Sequence, residues 1–90
     1  MQLKDIFASK TQVKLLIFFT ENPRKEYYQT ELCKKLNESL GSIQYEVNRL
    51  VRMGFLNRRK SKIRTFYSLE AGFSLLDEIR SIIKKVGKKN

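Results

Sequence analysis

The spacing of apolar residues predicts a chain made mostly of helices. Leu3, Ile6 and Phe7 fall at helical spacing, and Ser9-Lys10-Thr11-Gln12 has the form of a capping box. The Ser hydroxyl would accept from a backbone N–H while Gln reaches back, so a helix is expected from about Lys10 to Thr20. Within it Val13, Leu15, Leu16, Ile17, Phe18 and Phe19 cover nearly the whole circumference, which calls for burial by the domain or by a second copy. Asn22-Pro23 ends this helix, because proline excludes the helical conformation at the residue before it. Glu26-Tyr27-Tyr28 is extended in character, and Leu32 and Leu36 lie four apart in a short helix over Gln29 to Leu36. Ser39 is a natural N-cap. Apolar residues at 40, 43, 47, 50 and 51 then repeat at the period of an amphipathic helix running to about Met53, which Gly54 stops with a left-handed residue.

Beyond Gly54 the period changes from 3.6 to two. Thr65, Tyr67 and Leu69 alternate with Arg64, Phe66 and Ser68, so Phe55 to Lys60 and Ile63 to Leu69 form a β-hairpin. No Asn-Gly or Asp-Gly pair marks its turn, which predicts a longer, mobile loop within residues 59–64. Ser74 would cap a last helix striped by Leu75, Leu76, Ile79, Ile82, Ile83 and Val86 and closed by Gly87. The fold class expected is α+β, mostly α with a small β-hairpin. It forms one domain over residues 1–90, with its core at about 8–70 and a C-terminal helix at 73–87.

Ninety residues support one hydrophobic core, and 41% hydrophobic with 31% charged residues is a globular composition. The charge is what carries information about function. Nineteen Lys and Arg face nine Asp and Glu, a net charge of +10 with a pI of about 10.0, which favours a polyanionic partner. The excess is not spread evenly: residues 39–69 hold seven basic residues and one acidic one. No apolar run approaches the length of a membrane span. The N-terminus lacks the features of a secretory signal and a single cysteine allows no internal disulfide, so a cytoplasmic location without membrane attachment is expected.

With this element order the sequence resembles the winged helix-turn-helix transcription regulators. The residues that carry the resemblance are Glu31-Leu32 in the short helix, Ser39-Leu40-Gly41-Ser42-Ile43-Gln44-Tyr45-Glu46-Val47-Asn48-Arg49-Leu50 in the next, Gly54-Phe55-Leu56 leaving it, and Arg64-Thr65-Phe66-Tyr67-Ser68-Leu69 returning the hairpin. The match covers about residues 8–70. It looks most like the ArsR-type regulators, and also like the modules that precede some small nucleotidyltransferase domains. Where the family usually has a basic residue after Gln44, this chain has Tyr45.

The resemblance implies double-stranded DNA as partner, with the helix at about 39–53 in the major groove, where base edges show distinct donor and acceptor patterns. With the apolar stripe buried, its outward residues are Gly41, Ser42, Gln44, Tyr45, Asn48, Arg49 and Arg52. Gln44 can pair with adenine in two hydrogen bonds, and Asn48 likewise if the helix inserts deeply. Ser39 and Ser42 sit where a helix N-terminus favours phosphate, although Ser39 can also serve only as a cap. Tyr45 suits a thymine methyl, a phosphate or a protein interface. Arg58, Arg59, Lys60, Lys62 and Arg64 set five cations within seven residues of the hairpin, placed for an adjacent minor groove or phosphate row.

Leu75, Ile79, Ile82 and Val86 follow the alternating four-and-three spacing of a coiled-coil seam, and the first helix is apolar on several sides. Leu15, Phe18, Phe19, Leu75, Ile79, Ile82 and Val86 are therefore candidates for a homodimer interface. The resemblance implies a symmetric dimer reading a partly palindromic site. Cys33, with no histidine and no second cysteine, is a buried small hydrophobe rather than a metal ligand, so neither metal nor cofactor is expected. Without a His base or a Gly-rich phosphate loop, and with acids scattered as on a solvated surface, the chain is not expected to be an enzyme. Sequence-specific transcriptional regulation is the function expected. The alternatives are an adaptor docking a protein, such as a nucleotidyltransferase, or RNA, and nonspecific architectural DNA binding.

Overall fold

A computed structural model describes residues 9–73 and 76–87, with the side chains of Val86 and Gly87 left out. The expected Leu3, Ile6 and Phe7 spacing, the Ser74 cap, Leu75 and the Val86 side chain lie outside the described residues. The elements are α1 (Lys10–Glu21), β1 (Tyr27–Tyr28), α2 (Gln29–Leu36), α3 (Leu40–Arg52), β2 (Leu56–Lys60), β3 (Thr65–Leu69) and α4 (Leu76–Gly87). The short extended segment turns out to be a strand. It pairs antiparallel with β3 through Tyr27 opposite Tyr67 and Tyr28 opposite Phe66, giving a three-stranded sheet in the order β1-β3-β2.

Local chemistry accounts for most boundaries. Ser9 accepts the Gln12 backbone N–H at 3.0 Å, and Asn22 ends α1 by donating its side-chain amide to the Phe18 carbonyl at 2.8 Å. Asn37 takes the left-handed conformation (φ 55°) that turns the chain from α2 into α3. Gly54, at φ 86°, does the same after α3, where a Cβ would add backbone strain although space is open to 3.7 Å.

The core lies between α1, α2, α3 and the inner face of the sheet, centred on Leu15, Leu16, Phe19, Leu32, Ile43, Val47, Leu50 and Phe55. Three expectations about burial need correction. Leu15 and Phe19 are 0% exposed within one chain, so these candidate dimer contacts belong to the protomer's own core, where that side of α1 packs on α3, β3 and the aromatic ring of Tyr27, while Val13 and Ile17 stay half-buried. Ile79, at 5%, is likewise buried by its own domain, while Ile82 is half-buried. Phe18 is half-buried, its ring edge-on to Tyr27 at 4.7 Å. Finally Leu40 is 43% exposed, because it lies at the first turn of α3, before that helix meets the core.

A polar clamp from α1 holds the turn between α2 and α3. From α1, Lys14 Nζ reaches the Glu38 carboxylate at 2.7 Å and the Leu36 carbonyl at 2.9 Å, while Thr11 Oγ1 donates to Glu38 at 2.8 Å. The turn at residues 37–39 is thus tied at its middle residue to a helix already fixed in the core. Farther along α3, Glu46 is 4% exposed and accepts from Ser9 Oγ at 2.7 Å, so it is a structural carboxylate and not the surface acid that the sequence suggested. Among the described residues, no helix is long and apolar enough to cross a membrane.

Candidate nucleic-acid interface

Helix α3 turns one side to the core and the other outward. Ile43, Val47 and Leu50 are fully buried, which leaves Gln44, Tyr45 and Arg52 exposed and Ser42, Asn48 and Arg49 half-buried along the outer flank. Ser39 caps this helix: its Oγ accepts the Ser42 N–H at 3.2 Å and donates to Ser42 Oγ at 3.0 Å. Tyr45 is 61% exposed, with the Arg49 guanidinium 5.7 Å from its ring. Arg49 also lies 3.7 Å from Glu46, so its charge is drawn back toward its own helix.

Strand alternation divides the hairpin cations between two faces. Leu56, Tyr67 and Leu69 point into the core, so Arg58 and Lys60 leave β2 on the inner side and Arg59 on the outer. Arg58 sits over the Tyr67 ring (5.8 Å) and donates to Asn48 Oδ1 of α3. The base of the hairpin and the middle of α3 therefore share one side of the molecule. Arg59 instead lies over Phe66 at 4.8 Å and grips Glu26 through two hydrogen bonds of 2.8 Å. The bonds from Arg59 hold the Glu26 carboxyl below the usual carboxylate range, and Glu26 raises Arg59 in return. Arg64 stacks on Tyr28 at 4.1 Å, whereas Lys60 and Lys62 are exposed.

The hairpin tip falls within the expected residues 59–64: residues 61–64 connect the strands, and Ser61 N–H closes them by donating to the Arg64 carbonyl at 2.8 Å. Ser61 Oγ accepts from the Ile63 and Arg64 N–H groups at 3.3 and 3.1 Å and donates to the Arg64 carbonyl at 2.9 Å. Neither Lys62 nor Ile63 has positive φ, so a serine hydroxyl does what Asn-Gly does in the commonest tight hairpins.

Glu26, Tyr28, Phe66 and Ile63 were not singled out from the sequence, although three of them orient wing arginines or their partners. The signal available was the run of bases in β2 facing the adjacent aromatics Phe66 and Tyr67 of β3. Among the described residues no cluster of three or more metal-ligating side chains exists, and Cys33 is half-buried against the core.

Similar folds among solved structures decide the architecture. MepR, a transcription regulator of the Staphylococcus aureus multidrug efflux pump MepA, superposes with a TM-score of 0.74 at 17% identity, over 96% of this chain and 65% of that one. The fold is a winged helix-turn-helix. In it α2 and α3 are the helix-turn-helix and β2-β3 the wing. The homodimeric winged helix-turn-helix DNA-binding domain of a possible ArsR-family transcriptional regulator from Mycobacterium bovis matches with a TM-score of 0.67 at 12% identity, over 93% of this chain and 73% of that one. The ferric uptake regulator of Francisella tularensis matches at 0.66 and 21% identity, over 71% of this chain; the winged helix spans about half of that regulator, 53%. No family model and no curated protein sequence matches the chain.

Proposed function

We propose that this winged helix is a sequence-specific double-stranded DNA-binding transcriptional regulator that works as a homodimer in the cytoplasm and performs no catalysis. α3 enters the major groove, where Gln44 and Asn48 read bases, Ser39 and Ser42 approach phosphates, and Tyr45, Arg49 and Arg52 border the groove. The wing, through Lys60, Lys62 and its arginines, lies on the adjacent backbone or minor groove.

The observation that carries this reading is the Arg58–Asn48 hydrogen bond. It joins the wing to the outward flank of α3, so the two polar surfaces are continuous and can meet one duplex together. Regulator neighbours of the same fold, one of them homodimeric, support the reading. A dimer would present two copies of α3 about one DNA turn apart and select a partly palindromic site.

Selection of bound duplexes from a random pool, followed by titration of selected and scrambled duplexes across a range of salt, tests it. The expected result is steep salt dependence with a preference far above tenfold. Salt dependence without that preference would leave an architectural binder, and no duplex binding at all would point to a protein or RNA partner.

A further inference from the structure

We propose that Ile63 is an apolar wedge which the wing presses into the minor groove at an easily unstacked base step; the inference rests on the duplex-binding function proposed above. Ile63 is 88% exposed, more than any other large hydrophobic residue among those described. It occupies a central position of the wing-tip turn, where Gly, Asn or Asp is usual, and a branched aliphatic there adds nothing to folding. Its presentation is nonetheless fixed. The Ser61 hydroxyl and backbone close the turn through four hydrogen bonds, one of them from the Ile63 N–H itself, so the side chain is held out at the extremity of the sheet instead of folding back.

The surroundings of Ile63 select the ligand. Along the chain a collar of exposed cations, Lys60, Lys62 and Arg64, flanks this one apolar side chain, with the Arg64 guanidinium lying over Tyr28. A hydrophobic pocket on a protein would have to strip water from that collar as it took in the isoleucine, at a cost that one aliphatic side chain does not offset. The minor groove has the matching layout, with walls of apolar sugar faces between two rows of phosphate and a floor of base edges that parts where a step unstacks. Isoleucine is among the residues that wedge between base pairs there, most readily at pyrimidine–purine steps, which unstack easily. Such a contact makes the wing sensitive to the deformability of the site at positions where no base edge is read.

The test compares the full wild-type chain with Ile63→Ser and Lys62→Ala on the duplex selected by the wild type, carrying 2-aminopurine at successive steps beneath the wing. Because Ile63 releases no counterion, Ile63→Ser should weaken binding about tenfold while leaving the salt slope unchanged. Lys62→Ala should instead flatten the slope by about 0.9. The wild type should brighten 2-aminopurine at one step, and Ile63→Ser should abolish that signal. Wild-type affinity in Ile63→Ser, or an altered slope, overturns the wedge and leaves duplex recognition standing. Failure of the wild type to bind any duplex overturns both.

Discussion

Glu26, in the segment before β1, takes both hydrogen-bonding ends of the Arg59 guanidinium at 2.8 Å across the outer face of the sheet. A wing arginine is therefore already engaged before any polyanion arrives, and a phosphate must compete with a carboxylate for it. Glu26→Gln should strengthen binding to all duplexes several-fold and steepen the plot of log affinity against log salt by about 0.9, the contribution of one added phosphate contact. Affinity titrations at four or five salt concentrations measure this; an unchanged slope would show that Arg59 makes no phosphate contact even when released.

The opposite face makes a different prediction. Since Arg58 is held by Asn48, the two residues act as a unit in which the wing steadies the side chain proposed to read bases. Asn48→Ala and Arg58→Ala should each relax the preference for the selected duplex. In a double-mutant cycle on that duplex they should couple by at least about 0.5 kcal/mol. Additive losses would mean that each residue meets DNA independently.

Acid should loosen the helix-turn-helix. Hydrogen bonds from Lys14 and then Thr11 hold Glu38 below the usual carboxylate range, and Glu70 is held low by the Gly72 N–H and then by Asn57. A carboxyl whose pKa is depressed by folding contributes stability that is complete above its unfolded value, about 4.3 for glutamate. That stability is lost as pH falls through the lower folded value. Thermal midpoints of the wild type should therefore drop below about pH 4. Glu38→Gln should start lower at neutral pH and fall less on acidification, which parallel melts of the two proteins at pH 7 and pH 3.5 would detect.

The apolar residues of α1 and α4 separate folding from assembly. Phe19→Ala, which opens the core, should cost about 3–5 kcal/mol in urea denaturation whatever the oligomeric state. Ile82→Asp touches a half-buried residue and should instead give a folded monomer with weaker binding to two half-sites, read by sedimentation. A dimer persisting in Ile82→Asp places the interface elsewhere.

Much of this architecture was legible in the chain because single residues carry unambiguous local instructions. Ser9, Ser39 and Gly54 mark helix ends by backbone chemistry, and the 43, 47, 50 spacing defines the buried side of α3 and, by exclusion, its outward one. Less legible was anything decided by a partner distant in sequence. The apolar circumference of α1 fits a subunit interface as well as a core until Leu15, Leu16 and Phe19 are seen to pack on α3, β3 and Tyr27, leaving Val13, Ile17 and Phe18 half-buried. Glu46 resembles any surface acid until Ser9, 37 residues away, meets it. The turn at Ser61 was hidden for another reason: a side chain supplies hydrogen bonds that turn rules assign to backbone with positive φ.

The alternation along β2 has a final consequence for how the wing can change. Arg58 and Arg59 are chemically identical neighbours with opposite duties, and nothing in their own side chains says which is which. The distinction is imposed by Leu56, Tyr67 and Leu69, whose burial sets the pairing of β2 with β3. A slip of β2 by one residue would swap the two arginines with little electrostatic penalty while turning Leu56 out of the core into water. In this protein the greasy residues of the sheet thus dictate the address of each charge, and substitutions at Leu56 or Tyr67, far from any phosphate, are the ones best able to rewrite which side of the wing is positive.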